Sequence, residues 1–393
     1  MTATVAATLP TPPWLASAGS QQLVAALDIA GGRTRLVGGT VRDGLLGVIV
    51  SDIDFATQFE PAETIARLIA AGIKAVPTGI AHGTITAVAD GLVAEVTTLR
   101  RDVATDGRHA TVAFTDDWRA DAARRDFTIN ALYANPLSGA VDDYFGGRAD
   151  LAAGQVRFIG EPLARIAEDH LRILRFFRFH ARFGTGAPDA AGLAACTARI
   201  DDLEALSRER VRDELLKLLC VVDPVPTVEV MRASGVLSAV VLQVVAGPVR
   251  GLMRACSGEV ALGRRPNALL RLAALLPVDA VVLDAVATRL RLSNAERKRF
   301  TLTAQRAGSL AELAYRDGLD SALDRGILRE DSGLSAFAAG WTKPVFPLSG
   351  RDLIARGIAA GPAVSRLLDQ AERKWIAAGF PANADGILDE VLS

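Results

Sequence analysis

The segment "GVIVSDIDFATQ" (Gly47–Gln58) sets two carboxylates, Asp52 and Asp54, on either side of one residue in an otherwise apolar run. In an extended strand residues i and i+2 share a face, so Asp52 and Asp54 are expected to point one way while Ile53 and Phe55 enter a core. Carboxylates held that close repel each other unless a cation lies between them, and a hard divalent ion, most naturally Mg2+, meets that need. The same pattern also fits a strand end whose aspartates face water. Immediately upstream, "RLVGGTVRDGLLG" (Arg35–Gly47) reads as a short strand, the pair Gly38 and Gly39, and the start of a helix. Glycines let backbone N–H groups approach an anion, a helix N-terminus favours negative charge, and Arg42 adds a forked cation suited to phosphate. A glycine pair alone also suits a tight turn. A phosphate cradle followed by a paired-carboxylate strand points to a nucleotide whose phosphates meet a metal.

Composition bounds the rest. A chain of 393 residues with 50% hydrophobic content is long enough for roughly two to four globular domains. Lysine plus arginine (44) nearly cancels aspartate plus glutamate (45), so any nucleic-acid surface has to be local. Cys196, Cys220 and Cys256 lie far apart without partners at ligand spacing and are expected to be reduced core thiols. No secretory signal is visible, and the most apolar run, "GVLSAVVLQVVAG" (Gly235–Gly247), is too short and interrupted to span a membrane. A cytoplasmic location is expected, and oligomeric state is not legible.

From about Arg35 to Gly147, strand runs ("KAVPTG", "GTITAVAD", "LVAEVTTLR") mix with helical patterns such as "PAETIARLIAAG", which predicts an α/β head. From about Gly160 onward nearly every segment has helical period, divided by glycine and proline breaks near Gly184–Pro188, Asp223–Pro226, Pro277 and Pro344–Pro347. No internal repeat is visible.

Further chemistry lies in and just after the head. In "AEVTTLRRD", Glu95 can lie beside the two aspartates as a third carboxylate, with Arg100 at the strand end. "RRDFTINALY" (Arg124–Tyr133) combines arginines, Asp126 and Asn130 with an apolar helical face; arginines grip a triphosphate, and a carboxylate or amide can bond a ribose hydroxyl. A helix cap with surface ion pairs is the plainer account. "DDYFGGRADL" (Asp142–Leu151) is a turn-rich connection. In "RIAEDHLRILRFFRFHARF" (Arg165–Phe183), read as one helix, Glu168 and Asp169 converge with Arg172 on one patch, and Ile173, Leu174, Phe176, Phe177 and Phe179 form the buried side. Glu168 and Arg172 can be an ordinary ion pair. They can also read a base, because a carboxylate accepts from the amino group of cytosine or adenine while a guanidinium donates to the neighbouring ring acceptor. Uracil and guanine mismatch that pattern at roughly 1–3 kcal/mol for each unsatisfied buried partner. His82, His109, His170 and His180 are read as structural or surface groups, since metal-assisted phosphoryl transfer needs no side-chain nucleophile.

The ordered set "LVGGTVRDGLLG", "DIDFAT", "TTLRRD", "RRDFTINALY", "DDYFGG", "EDHLRILRFFRF" and "LSRERVRDELLKLL" resembles the class II tRNA nucleotidyltransferase and bacterial poly(A) polymerase family, over roughly residues 35–220. The resemblance implies an α+β chain: a polymerase-beta-like nucleotidyltransferase head (1–150), then an all-α neck (151–222, base selection), body (223–330, RNA binding) and tail (331–393, tRNA binding). It implies that Asp52 and Asp54 hold catalytic Mg2+ with Glu95 as third carboxylate. Gly38, Gly39, Arg42, Arg100, Arg124, Asp126, Asn130 and Arg175 are implied to bind the nucleotide, and Glu168, Asp169 and Arg172 to serve as the protein template. Asp143 and Gly146 match a flexible element for the change from C to A addition, and Leu206–Leu218 a neck brace. The implied activity is template-independent addition of C-C-A to tRNA from CTP and ATP, with release of pyrophosphate.

Two features separate relatives within that family. "PTGIAHGTITAV" (Pro77–Val88) replaces the basic stretch usual in poly(A) polymerases, and the C-terminal "NADGILDEVLS" is acidic; both favour C-C-A addition, with A-only addition and polyadenylation as alternatives. A non-catalytic RNA-binding descendant is expected to have lost Asp52 or Asp54, and both are present. The arginine clusters at Arg250, Arg254, Arg264, Arg265 and Arg271, and at Arg289, Arg291, Arg297, Lys298 and Arg299, are read either as solvated helix faces or as local phosphate contacts.

Overall fold

The computed structural model describes residues 5–50, 52–106, 109–244, 249–305, 307–383 and 385–392, with residues 102–106, 109–112 and 385 described by backbone alone. The reading of His109 as a structural or surface group therefore lies outside the described side chains, as residues 245–247 of the apolar run lie outside the described chain. The chain divides into two compact units, Met1–Val240 and Val241–Ser393.

The first unit is built on nine strands: β1 (Thr34–Val37), β2 (Ile53–Thr57), β3 (Lys74–Gly79), β4 (Thr84–Ala89), β5 (Leu92–Thr98), β6 (Arg100–Asp106), β7 (His109–Phe114), β8 (Leu132–Ala134) and β9 (Val141–Asp143). Seven form one sheet in the order β3-β4-β5-β2-β1-β8-β9, while β6 and β7 pair separately. Every pairing in the large sheet is antiparallel except β2 with β5. The β4–β5 hairpin turns through Asp90 and Gly91, both at positive φ, the backbone that a two-residue Asp-Gly turn supplies most cheaply. Alternating burial along β4 and β5 leaves one sheet face packed and the other open. Ile53 and Phe55 enter the core, as the strand reading requires, and Asp54 takes the other face.

Two helical expectations are corrected. "RRDFTINALY" is not helical: Arg124 ends the helix Trp118–Ala123, a single 3-10 turn spans Thr128–Asn130, and the chain enters β8. "RIAEDHLRILRFFRFHARF" is two helices, Pro162–Glu168 and Arg172–Phe183, because Asp169 is extended (φ −153°). Its carboxylate accepts from the Leu171 N–H (3.1 Å), a local bond that competes with helix continuation, and from the distant Arg210 (2.8 Å). The Arg172–Phe183 helix buries Phe176 and Phe179 against Phe127 and Phe158, with ring centroids 4.8–6.3 Å apart, and so docks the helical segment on the end of the sheet.

Every element of the second unit's order is a helix, from Arg250–Ala261 to Asp385–Leu392. Several of the arginines in its two clusters are ion-paired within the unit. Arg271 is buried and paired with Glu259 at 2.8 Å, Arg264 and Arg299 both pair with buried Asp324, Arg297 pairs with Asp284 and Arg254 with Glu330. Of these, Arg271 is the one withdrawn from the surface, while the side chains of Arg254 and Arg297 remain 41% and 44% exposed. The core-thiol reading holds for Cys196 but not for Cys220, which is exposed at the end of the helix Arg208–Leu219; Cys256 is intermediate. No helix among the described residues is long and apolar enough to cross a membrane.

Candidate active site

The site begins where β1 ends. Gly38, at φ 65° and ψ −123°, reverses the chain into the helix Gly39–Leu45, a backbone that disfavours any side chain. Thr40 in that helix donates its hydroxyl to the Asp52 carbonyl and accepts from the Asp54 N–H, both at 3.0 Å. The parallel β2–β5 register sets Asp54 beside Glu95. Asp52 is exposed just ahead of β2. Burial, then Glu95, then Asp52 push the Asp54 carboxyl up to about 6, with Arg125 opposing. Among the described residues no three His, Cys, Asp or Glu side chains gather into a metal cage, so Glu95 lies next to Asp54 without closing one. That donor set still suits Mg2+, which keeps several waters and is held by one or two carboxylates plus substrate phosphates.

A cleft of about 530 Å³ opens here, the size of a nucleotide pocket. Gly38, Gly39, Asp54 and Glu95 line it from the sheet, Arg100, Arg124, Arg125, Asp126 and Asn130 from the following segments, and Asp169, Arg172, Arg175, Arg178 and Phe179 from the helices. Counting Arg42, seven arginines face four carboxylates across its wall, an excess of positive charge suited to a polyanion.

Each cation is held in place. Arg42 is buried, donates to Asp43 (2.8 Å) and Asn130, and lies over the Phe183 ring at 4.1 Å; burial lowers its pKa. Asp121 collects Arg124 (2.7 Å), Arg125 (3.2 Å) and the Tyr133 hydroxyl (2.6 Å). Against the opposing effect of burial, those partners hold its carboxyl near 2. Burial likewise works to raise Asp126, but Arg175 and the Asn130 amide (2.9 Å) outweigh it and lower its pKa. Arg175 and Arg178 share Glu214 from the neighbouring helix. Arg100 donates to the His82 carbonyl at 2.6 Å, a bond that leans on a main-chain atom of exposed His82; His170 meets Asp202, and burial lowers the pKa of His180.

The base-reading pair is rearranged relative to the sequence expectation. Glu168 does not line the cleft: its two oxygens are taken by Arg165 (2.7 Å) and Arg172 (2.6 Å). Asp169, swung out by the break between helices, is the carboxylate that stands with Arg172 in the wall. Asp143 and Gly146 also lie outside the wall. Asp143 accepts from the N–H groups of Phe145, Gly147 and Arg148 and caps the helix Gly147–Ala153, with Gly146 left-handed at φ 77°.

The head residues 34–157 match the family described as "Poly A polymerase head domain", and residues 189–246 match "Probable RNA and SrmB- binding site of polymerase A". Across 377 residues the chain is 34% identical to the mitochondrial CCA tRNA nucleotidyltransferase 1 of Mus musculus, covering 91% of this chain and 86% of that one. The corresponding Homo sapiens protein is 33% identical over 386 residues, with the same coverage. This chain belongs to the CCA tRNA nucleotidyltransferase family.

The chain is therefore a nucleotidyltransferase, and its mixed-sheet head is the polymerase-beta-like fold that the motifs implied. The Bacillus stearothermophilus CCA-adding enzyme in complex with CTP superposes with a TM-score of 0.76 at 25% identity, covering 96% of this chain and 97% of that one. Thermotoga maritima CCA-adding enzyme complexed with tRNA shares the fold at a TM-score of 0.68 and 23% identity, covering 94% and 93%. Within this member of the CCA tRNA nucleotidyltransferase family, the sequence reading passed over Thr40, Asp121 and Arg178, and took Phe179 only for a buried side chain, whereas it lines the cleft. Arg125 is the second of the two arginines in "RRDFTINALY"; Thr40 and Asp121 reach the site only through contacts between distant segments.

Proposed function

We propose that this protein completes the 3′ end of tRNA by adding C-C-A from CTP and ATP without a nucleic-acid template. The observation that carries this reading is one cleft with Asp54 and Glu95 on the sheet side, Asp169 and Arg172 on the helical side, and arginines between. A triphosphate bridging the two sides brings its phosphates to the carboxylates and its base to Asp169 and Arg172. Asp52 and Asp54 are the ligands we assign to Mg2+. When bound, that ion supplies Lewis-acid activation of the attacking 3′-hydroxyl and offsets charge on the departing pyrophosphate.

Gly38, Gly39, Arg42, Arg100 and Arg124 are assigned to the phosphates and Asp126, Asn130 and Arg175 to the sugar side. Asp169 and Arg172 select the base, Glu168 orients Arg172, and Asp143 with Gly146 form the element that adjusts between C and A. Residues 151–222 serve as neck, and the helices of 223–330 and 331–393 hold the tRNA. The cytoplasm is the location we assign.

The test is product sequencing from a tRNA transcript lacking its 3′ end, incubated with Mg2+ and CTP, ATP or both. Addition of C-C-A that then stops supports the reading; an unlimited A tail, or A added only to tRNA already ending in C-C, overturns it. Asp52→Ala is expected to abolish transfer while leaving tRNA binding intact in a filter assay.

A further inference from the structure

β1 pairs with β2 only as far as Leu36 opposite Phe55, because the chain then turns away at Gly38. The polar backbone groups flanking Ile53 are left without that strand just where Asp52 and Asp54 are needed. Thr40 takes its place. Its hydroxyl accepts from the Asp54 N–H and donates to the Asp52 carbonyl, each at 3.0 Å, and the residue is only 4% exposed. One side chain thus bonds the main chain of both carboxylate residues and fixes the two peptide planes from which they project. Thr40 also sits directly after Gly38 and Gly39, so the same hydroxyl ties the glycine turn to the carboxylate strand.

We infer that Thr40 is a positioning residue for the metal-binding carboxylates, acting through its hydroxyl on Asp52 and Asp54. The inference rests on the assignment of those aspartates as metal ligands. Valine has the same shape as threonine but neither donates nor accepts, so in Thr40→Val the N–H and carbonyl lose their shared partner and the carboxylate directions relax. Serine keeps the hydroxyl. Removing a group that orients metal ligands typically lowers metal affinity or activity about 10- to 100-fold.

The experiment compares wild type, Thr40→Ser, Thr40→Val and Asp54→Asn by electron paramagnetic resonance titration with Mn2+ in the presence of CTP, alongside steady-state kinetics. Thr40→Val is expected to bind Mn2+ about tenfold more weakly and to lose kcat by about the same factor with little change in the KM for CTP, while Thr40→Ser tracks wild type. Wild-type affinity and kcat in Thr40→Val overturn the inference, as does equal loss in Thr40→Ser, which assigns the effect to the methyl group. Failure of wild type to bind Mn2+, or undiminished binding by Asp54→Asn, overturns the metal assignment itself and this inference with it.

Discussion

Asp54 is costly to ionise where it stands: burial, Glu95 and Asp52 place its pKa at about 6, above the ordinary 3.8. Between those values the folded chain keeps a proton that the unfolded chain has released. Stability of the metal-free protein therefore falls as pH rises from about 4 to about 6, and the penalty is complete above that window. Asp54→Asn removes the charge without changing shape. In calorimetry without divalent ions it is expected to raise the thermal midpoint at pH 8 by about 2–4 °C per kcal/mol recovered and to change little at pH 4. Added Mg2+ is expected to stabilise wild type and not the variant. A variant that melts lower at pH 8 contradicts the buried-charge account.

The break between Pro162–Glu168 and Arg172–Phe183 decides which acid lines the cleft. Helical periodicity made Glu168 and Asp169 equivalent neighbours of Arg172, and nothing in the spacing separated them. Asp169 breaks the helix through its bonds to the Leu171 N–H and to Arg210, which comes from the helix Arg208–Leu219 about forty residues on. Asp169→Ala is expected to lower kcat/KM for CTP and ATP about 10- to 100-fold, the effect of roughly 1–3 kcal/mol from one lost buried partner. UTP and GTP, which gain nothing from that carboxylate, are expected to lose less. Single-turnover rates with all four nucleotides check this, and equal losses for all four refute it.

At the scale of the molecule, the two units hold together in different ways. The first unit centres on a sheet and a phenylalanine cluster. The second buries an ion pair, Arg271 with Glu259, both about 1% exposed, and Glu259 also accepts from the Asn267 N–H at 2.7 Å. Glu259→Ala removes the carboxylate that neutralises the buried guanidinium, at a cost of about 3–5 kcal/mol to that unit. Urea denaturation is expected to show an early transition, while CTP binding measured calorimetrically before that transition stays at the wild-type level. Loss of CTP binding in native buffer contradicts this separation.

The strand-turn-helix at Gly38, the placing of Asp54 on the face opposite Ile53 and Phe55, the α/β head and the helical remainder were legible in the sequence, because they follow from local periodicity, turn chemistry and side-chain alternation. Tertiary structure alone decided that Thr40 bonds the carboxylate strand, that Asp169 rather than Glu168 enters the cleft wall, and that Arg271 faces inward to Glu259. Each of those outcomes depends on a partner brought close by folding. A charged or hydroxyl side chain carries no local record of the group that will satisfy it once water is excluded.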